Sequence, residues 1–271
     1  MPELPEVETI RSGLEPHVVG RTVKAVTVRD VRLRWPIPAD FAQYANGKRI
    51  RGIARRGKYL IFDLGGDRLI VHLGMTGRLG LMDPATPVKR HDHVDLLLSG
   101  GRLLRYHDPR RFGAVLPWPK AEAAHILLAG MGPEPLEPGF DGAYLHSLSR
   151  GRSAPVKSFI MDGRVVVGVG NIYASEALFH AGIRPATAAG RINLAKYERL
   201  AEAIRYVLLA AIAQGGTTFR DFRDSNGEAG YFQQKLMVYD RDGEPCRVCK
   251  TPIRRLVIGQ RSSYWCPVCQ R

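Results

Sequence analysis

Apolar side chains recur at helical spacing first over residues 5–14, where Val7, Ile10 and Leu14 fall on one face. From Gly20 the period shortens to two. Alternation of apolar and polar positions predicts strands over Thr22–Arg29, Arg49–Arg55, Tyr59–Leu64, Arg68–Leu73, His93–Leu98, Arg102–His107 and Ala114–Pro117. Glycine-bearing tight turns at 65–67 and 100–101 join these runs into hairpins. No helical pattern intervenes, so an antiparallel sandwich or barrel is expected rather than a parallel sheet. The texture changes near residue 120. Residues 121–130 read as helix, and the proline- and glycine-rich stretch Gly132–Gly139 reads as a linker. Helices then follow over 142–149, 155–162, 171–181 and about 194–214. The last of these carries Leu200, Ile204, Val207, Leu208 and Ala211 on one stripe. Residues 215–230 show no period and are long enough to form a functional loop.

The 271 residues suffice for two domains, each with its own core, and 45% hydrophobic with 24% charged residues is a globular balance. No apolar run approaches the roughly 18 residues of a membrane span. The start is acidic where a signal peptide would be basic, so a cytoplasmic protein is expected. Charge narrows the field further. Forty Lys and Arg against 26 Asp and Glu leave +14, which points to a polyanionic partner, most often nucleic acid. No basic amphipathic helix suggests a membrane surface instead.

All four cysteines lie near the end: Cys246, Cys249, Cys266 and Cys269 form C-x2-C-x16-C-x2-C. That spacing fits one four-thiolate zinc ion, structural because four thiolates leave no open position. Two disulfides are the alternative, and a chain with no other cysteine argues against them. Arg261 falls between the pairs, at or near the tip of the hairpin they would close, where a rigid mount could aim it at phosphate.

The start, Met1-Pro2-Glu3-Leu4-Pro5-Glu6, carries chemistry if Met1 is trimmed, as is usual before a small residue. Pro2 would then present a secondary amine titrating near about pH 8, nucleophilic toward a sugar C1′ and already cationic once it forms an iminium. Glu3 is close enough to exchange protons with the same substrate. The plainer reading is a loose terminus with acids favouring a helix start. Asp108-Pro109-Arg110-Arg111-Phe112-Gly113 sets two guanidiniums and an aromatic at a strand end, either a solvated turn or a wedge for a base stack. Met75 lies in a glycine-flanked turn, as core or as an exposed apolar tip. Lys58 begins a strand, usually just a solvated charge. His91 and His93, two apart in a strand, would share a face without a third metal ligand, so His91 is read as a phosphate contact or surface residue. Asn171, after Gly168-Val169-Gly170, either caps a helix or touches a phosphate.

In combination these motifs resemble bacterial formamidopyrimidine-DNA glycosylases (8-oxoguanine DNA glycosylase/AP lyases), in order from residue 2 to 270. The sister endonuclease VIII also begins Pro-Glu but lacks Leu-Pro-Glu-Val-Glu-Thr and the Asp-Pro-Arg-Arg-Phe-Gly turn. The resemblance implies an α+β multidomain monomer. An N-terminal antiparallel β-sandwich with flanking helices occupies 1–131, a hinge 132–150, a helical helix–two-turn–helix domain 151–235 and a β-hairpin zinc finger 236–271. Damaged double-stranded DNA lies in the cleft, with no small-molecule cofactor and no membrane. By that resemblance Pro2 attacks C1′ and expels 8-oxoguanine or a formamidopyrimidine, and Glu3 assists ring opening and proton transfer. Lys58 matches the position assigned to β-elimination and Arg261 that assigned to δ-elimination. Met75, Arg110 and Phe112 match residues filling the hole left by the flipped base. His91, Arg110, Arg152, Lys157 and Asn171 match backbone contacts, and 217–230 resembles a flap over the lesion. Two other readings are an endonuclease VIII-like enzyme for oxidised pyrimidines and a non-catalytic zinc-ribbon DNA-binding protein.

Overall fold

The computed structural model of the chain describes residues 2–215 and 236–271, and these divide into two units, one of residues 2–129 with Gly215 and the other of 130–214 and 236–271. The 217–230 segment read as a flap lies outside the described residues.

The first unit opens with helix α1 (Leu4–Val18), longer than the 5–14 expected. Val18 adds a further buried position to the face of Val7, Ile10 and Leu14, which carries the helix through Pro16. Strands β1 (Val23–Val28), β2 (Gly52–Arg56), β3 (Tyr59–Asp63), β4 (Arg68–His72), β5 (Arg78–Met82), β6 (Asp92–Leu98), β7 (Arg102–His107) and β8 (Ala114–Trp118) follow, with a short helix α2 (Phe41–Ala45) after β1. They form two four-stranded antiparallel sheets, ordered β1-β6-β7-β5 and β2-β3-β4-β8. Their inner faces bury Leu60, Leu69, Leu96, Leu104 and Val115 in one core with the apolar face of α1. The β3–β4 turn needs its glycines: Gly65 and Gly66 have φ of 92° and 109°, and Asp63 accepts hydrogen bonds from both of their N–H groups.

Three expectations need correction. β5 was not anticipated: Leu79 and Leu81 do alternate, but the run is short and Gly80 between them is a poor strand former. Nor was α2, five residues being too short to show a period. The helix expected over 121–130 reduces to one 3₁₀ turn, Ile126–Leu128. Its chief apolar residue, Ile126, is exposed, so no buried face sustains a longer helix.

The second unit holds α3 (Gly142–Ser149), α4 (Val156–Met161), α5 (Asn171–His180) and α6 (Leu194–Ala213), close to their expected bounds. α6 buries Leu200, Ile204, Val207, Leu208 and Ala211 as its stripe predicts. Gly142 is required: a Cβ there would lie 2.4 Å from the Glu198 backbone of α6. The unit closes with the hairpin β9 (Arg254–Ile258) and β10 (Arg261–Trp265), which packs through Ile253, Tyr264 and Cys266 against Phe179 at the end of α5.

Candidate active site and nucleic-acid interface

Pro2 is buried, and Glu3, only 2% exposed, is the residue from which α1 departs. The Glu6 carboxylate accepts the Glu3 backbone N–H at 2.8 Å, and the pair makes a capping box. Two residues of α1's next turn hold the helix in place. Glu8 accepts from Arg11 at 2.7 Å and from Arg55 of β2 at 2.8 Å. Burial alone would raise the Glu8 carboxyl; the hydrogen bonds of Arg11 and Arg55 outweigh it and hold the group below its ordinary range. Arg55 also donates to the Gly57 carbonyl at 3.2 Å, beside Lys58 in the β2–β3 turn. One guanidinium thus bears on both the helix that carries Pro2 and the turn that carries Lys58.

Strand register then places Lys58 next to a second feature. Tyr59 pairs across the sheet with His72, their rings 4.6 Å apart. Burial pushes the His72 imidazole down to about 4, and the charges of Lys58 and Arg34 push the same way. His72 is therefore neutral at pH 7, and its Nδ1 accepts the Gly74 N–H at 3.2 Å.

Gly74 opens the turn bearing Met75, and this turn and the Asp108–Gly113 loop are fixed to each other. A Cβ on Gly74 would lie 2.5 Å from the Phe112 carbonyl carbon. Beneath both loops sits Asp108, fully buried. Its Oδ1 accepts from the Thr76 hydroxyl at 2.7 Å, and its Oδ2 accepts from the Gly113 N–H at 2.9 Å and the Tyr106 hydroxyl at 3.3 Å. Thr76 in turn accepts the Arg110 N–H at 3.2 Å. Above this network Met75 is 38% and Phe112 42% exposed, with the Arg110 guanidinium 4.7 Å over the Phe112 ring. Met75 is an exposed tip, not core.

The two histidines do not share a face. His91 takes a left-handed φ of 78° just before β6, which breaks the strand period; His93 is buried with Nε2 2.8 Å from the Asp108 carbonyl oxygen. Among the described residues no metal group forms there. His91 holds the loop instead, its carbonyl accepting the Asp108 N–H at 3.0 Å.

In the second unit, Lys157 and Asn171 converge on the hairpin tip. Lys157, 1% exposed, donates through Nζ to the Ser262 carbonyl at 3.2 Å and the Ser263 hydroxyl at 2.8 Å; Asn171 Nδ2 reaches the same carbonyl at 3.1 Å. Asn171 is inside α5 and does not cap it; Gly170 holds that position. The neighbour of that carbonyl is Arg261, exposed at the start of β10 after a Gly259-Gln260 turn in left-handed conformation. Arg152 lies on an exposed loop, with Nε donating to the Leu148 carbonyl.

The four cysteine sulfurs lie within 4.8 Å of one another, with Cys246–Cys269 at 3.9 Å and Cys249–Cys266 at 3.3 Å. A zinc tetrahedron with bonds of about 2.3 Å has edges of about 3.8 Å, so the set fits one ion. Tyr264 and Trp265, adjoining Cys266, are buried and serve packing.

Three contributors escaped the sequence reading. Asp108 was read only as part of a turn, and His72 as a strand residue. Glu176, buried on α5, accepts the backbone N–H groups of Met237, Val238 and Tyr239 at 2.7–3.0 Å, anchoring that segment to the helix. The available signal was a lone acid in the apolar run Ala174–Phe179.

Three family models match: the formamidopyrimidine-DNA glycosylase N-terminal domain over residues 1–115, the formamidopyrimidine-DNA glycosylase H2TH domain over 131–223, and a zinc finger found in FPG and IleRS over 243–271. The formamidopyrimidine-DNA glycosylase of Methylococcus capsulatus is 57% identical over 271 residues, covering all of both chains. The MutM (FPG) protein of Thermus thermophilus superposes with a TM-score of 0.88 at 40% identity, over 99% of this chain and 98% of that one. The wild-type Lactococcus lactis Fpg, in complex with DNA containing an N7-benzyl-Fapy-dG, does so with 0.90 at 34% identity, over 100% of both.

Proposed function

This chain belongs to the formamidopyrimidine-DNA glycosylase family, and from that premise we propose how its own residues carry out base excision on oxidised purines. The enzyme is a DNA glycosylase and AP lyase whose partner is damaged double-stranded DNA, and one zinc ion sits on Cys246, Cys249, Cys266 and Cys269. After loss of Met1, the Pro2 nitrogen bonds to C1′ of the damaged nucleotide while the bond to 8-oxoguanine or a formamidopyrimidine breaks, its electron pair leaving with the base. Glu3 delivers a proton as the sugar ring opens. The resulting iminium acidifies the C2′ proton, whose loss expels the 3′ phosphate; a second elimination expels the 5′ phosphate. Lys58 serves the first elimination and Arg261 the second, each cation stabilising the phosphate that departs. Met75, Arg110 and Phe112 fill the space of the everted base, which offsets the few kcal/mol of unstacking. His91, Arg152, Lys157 and Asn171 serve the backbone, Lys157 and Asn171 by holding the Ser262 carbonyl beside Arg261. Residues 132–150 act as the hinge, and the monomer works in the bacterial cytoplasm on the nucleoid.

The observation that carries this reading is the start of α1. A terminal Pro-Glu ordinarily hangs loose; here both residues are buried and Glu3 is locked into the capping box that starts α1. The test is borohydride trapping on an 8-oxoguanine:cytosine duplex with mass mapping of the cross-link. The expected adduct lies on Pro2 and is absent when an uncleaved N-terminal tag blocks its amine. Tight binding with no adduct from a verified Pro2 terminus would sink the assignment and leave a binding module. Faster cutting of a thymine glycol duplex would move the enzyme to the oxidised-pyrimidine class.

A further inference from the structure

A groove of about 740 Å³ opens on the second unit between the 151–153 loop and the 184–191 segment. Three arginines line it, Arg152, Arg184 and Arg191, and no carboxylate does. None of the three makes an ion pair among the described residues: the nearby Asp162 is occupied by Arg164 at 2.8 Å. Clustered like charge costs stability, so such a group calls for an anion to offset it.

The groove is rigidly built. Its two walls are zipped by backbone hydrogen bonds: Val156 N–H to Thr187, Ala189 N–H to Ala154 and Gly190 N–H to Arg152, at 2.7–2.9 Å. Gly190 permits the close approach, since a Cβ there would meet the Arg152 carbonyl oxygen at 2.9 Å. Two of the guanidiniums are steadied by aromatic faces, Arg184 over Trp265 at 4.7 Å and Arg152 over Phe159 at 5.8 Å. Arg184 and Arg191 donate no side-chain hydrogen bond to any described residue. Guanidiniums held in place with open N–H forks suit phosphoryl oxygens. The rest of the lining is small, as a phosphate pressed against backbone requires.

We propose that this groove seats backbone phosphates of duplex DNA away from the damaged nucleotide, gripping undamaged and damaged duplex alike. The inference rests on the DNA-repair reading above and extends it from chemistry at the lesion to the search that precedes it. The phosphoryl chemistry has a second conceivable source, a free pyrophosphate-type anion, and the test separates the two.

Affinity for an undamaged duplex is titrated against salt for wild type, Arg184→Gln, Arg191→Gln, the double variant, and Arg191→Lys. Each lost phosphate contact should make the log–log slope shallower by about 0.9, with the double variant several-fold weaker at fixed salt and Arg191→Lys close to wild type. Arg184→Gln also unloads the Trp265 face, so zinc content and thermal midpoint are measured in parallel; if the finger loosens, Arg191→Gln carries the test. An unchanged slope and affinity in the double variant overturns the proposal. So does calorimetric binding of pyrophosphate that the double variant loses while its duplex titration stays that of wild type. Wild type is trapped on the 8-oxoguanine duplex alongside. A Pro2 adduct with unaltered groove variants refutes the groove alone, whereas no adduct refutes the catalytic reading.

Discussion

His72 shows how far a residue's neighbours can set its charge. Burial and two nearby cations bring its imidazole from about 6.5 in the unfolded chain to about 4 in the fold. Between those values the unfolded chain binds a proton that the folded protein refuses. The group's contribution is therefore full above about 6.5 and is lost as pH falls toward 4, up to about 3 kcal/mol. Chemical denaturation of wild type and His72→Gln at several pH values should show a steeper acid loss in wild type; parallel curves would contradict the assignment. At this scale the sequence was informative where a residue type is rare for its place: a Pro-Glu start, four cysteines at zinc spacing, an arginine between them. It was silent about His72 and Asp108, whose roles depend on cross-strand partners that adjacent positions do not reveal. The H-x-H pair misled because one left-handed residue, His91, cancels the two-residue period.

Among elements, those with long buried faces were legible. α6 declares its period because it buries one stripe, whereas β4, β6 and β7 bury consecutive positions on both faces and were legible as continuous apolar runs. β5 and α2 are short or broken by glycine, and the 121–130 segment is apolar without a surface to cover. The β9–β10 hairpin is a different case. Its strands pair over five positions, a small apolar cluster covers it, and Lys157 and Asn171 tie its tip to the helices while the cysteine set closes its base. Binding free energy of a structural zinc is folding free energy. Chelation should therefore lower the thermal midpoint of the second unit and expose Lys157, a buried ammonium that loses its acceptors. Hydrogen exchange over 254–265 before and after chelation, with recovery on added zinc, reads this directly. Unchanged protection would mean that the hairpin stands without the ion.

For the molecule as a whole, +14 is the quantity that matters. Acids are drawn into specific work: Glu3 and Glu6 at a helix start, Asp92 and Asp95 on Arg105, Glu176 on three backbone N–H groups. The surplus cations are left for a partner. Affinity for undamaged duplex is expected to fall by orders of magnitude between about 50 and 200 mM salt, as release of several counterions requires. A flat titration would refute the assignment of this charge to DNA. Composition alone made the nucleic-acid class legible, and the ordered motifs made the family legible. The groove between 151–153 and 184–191 was not, because its three arginines are 32 and 7 residues apart and meet only through the backbone zipper.

The Asp108 network has one more consequence. Met75, Arg110 and Phe112 contribute little to the anchorage that holds their own loops; Thr76, Gly113 and Tyr106 supply it from below. The assembly is a tool holder with interchangeable bits. The side chains at the two prongs can be exchanged for others of different bulk or hydrogen-bonding pattern, and the spacing between the prongs survives the exchange. Under the wedge role proposed for these side chains, evolution, or a designer, can retune the fit to the DNA without renegotiating the fold.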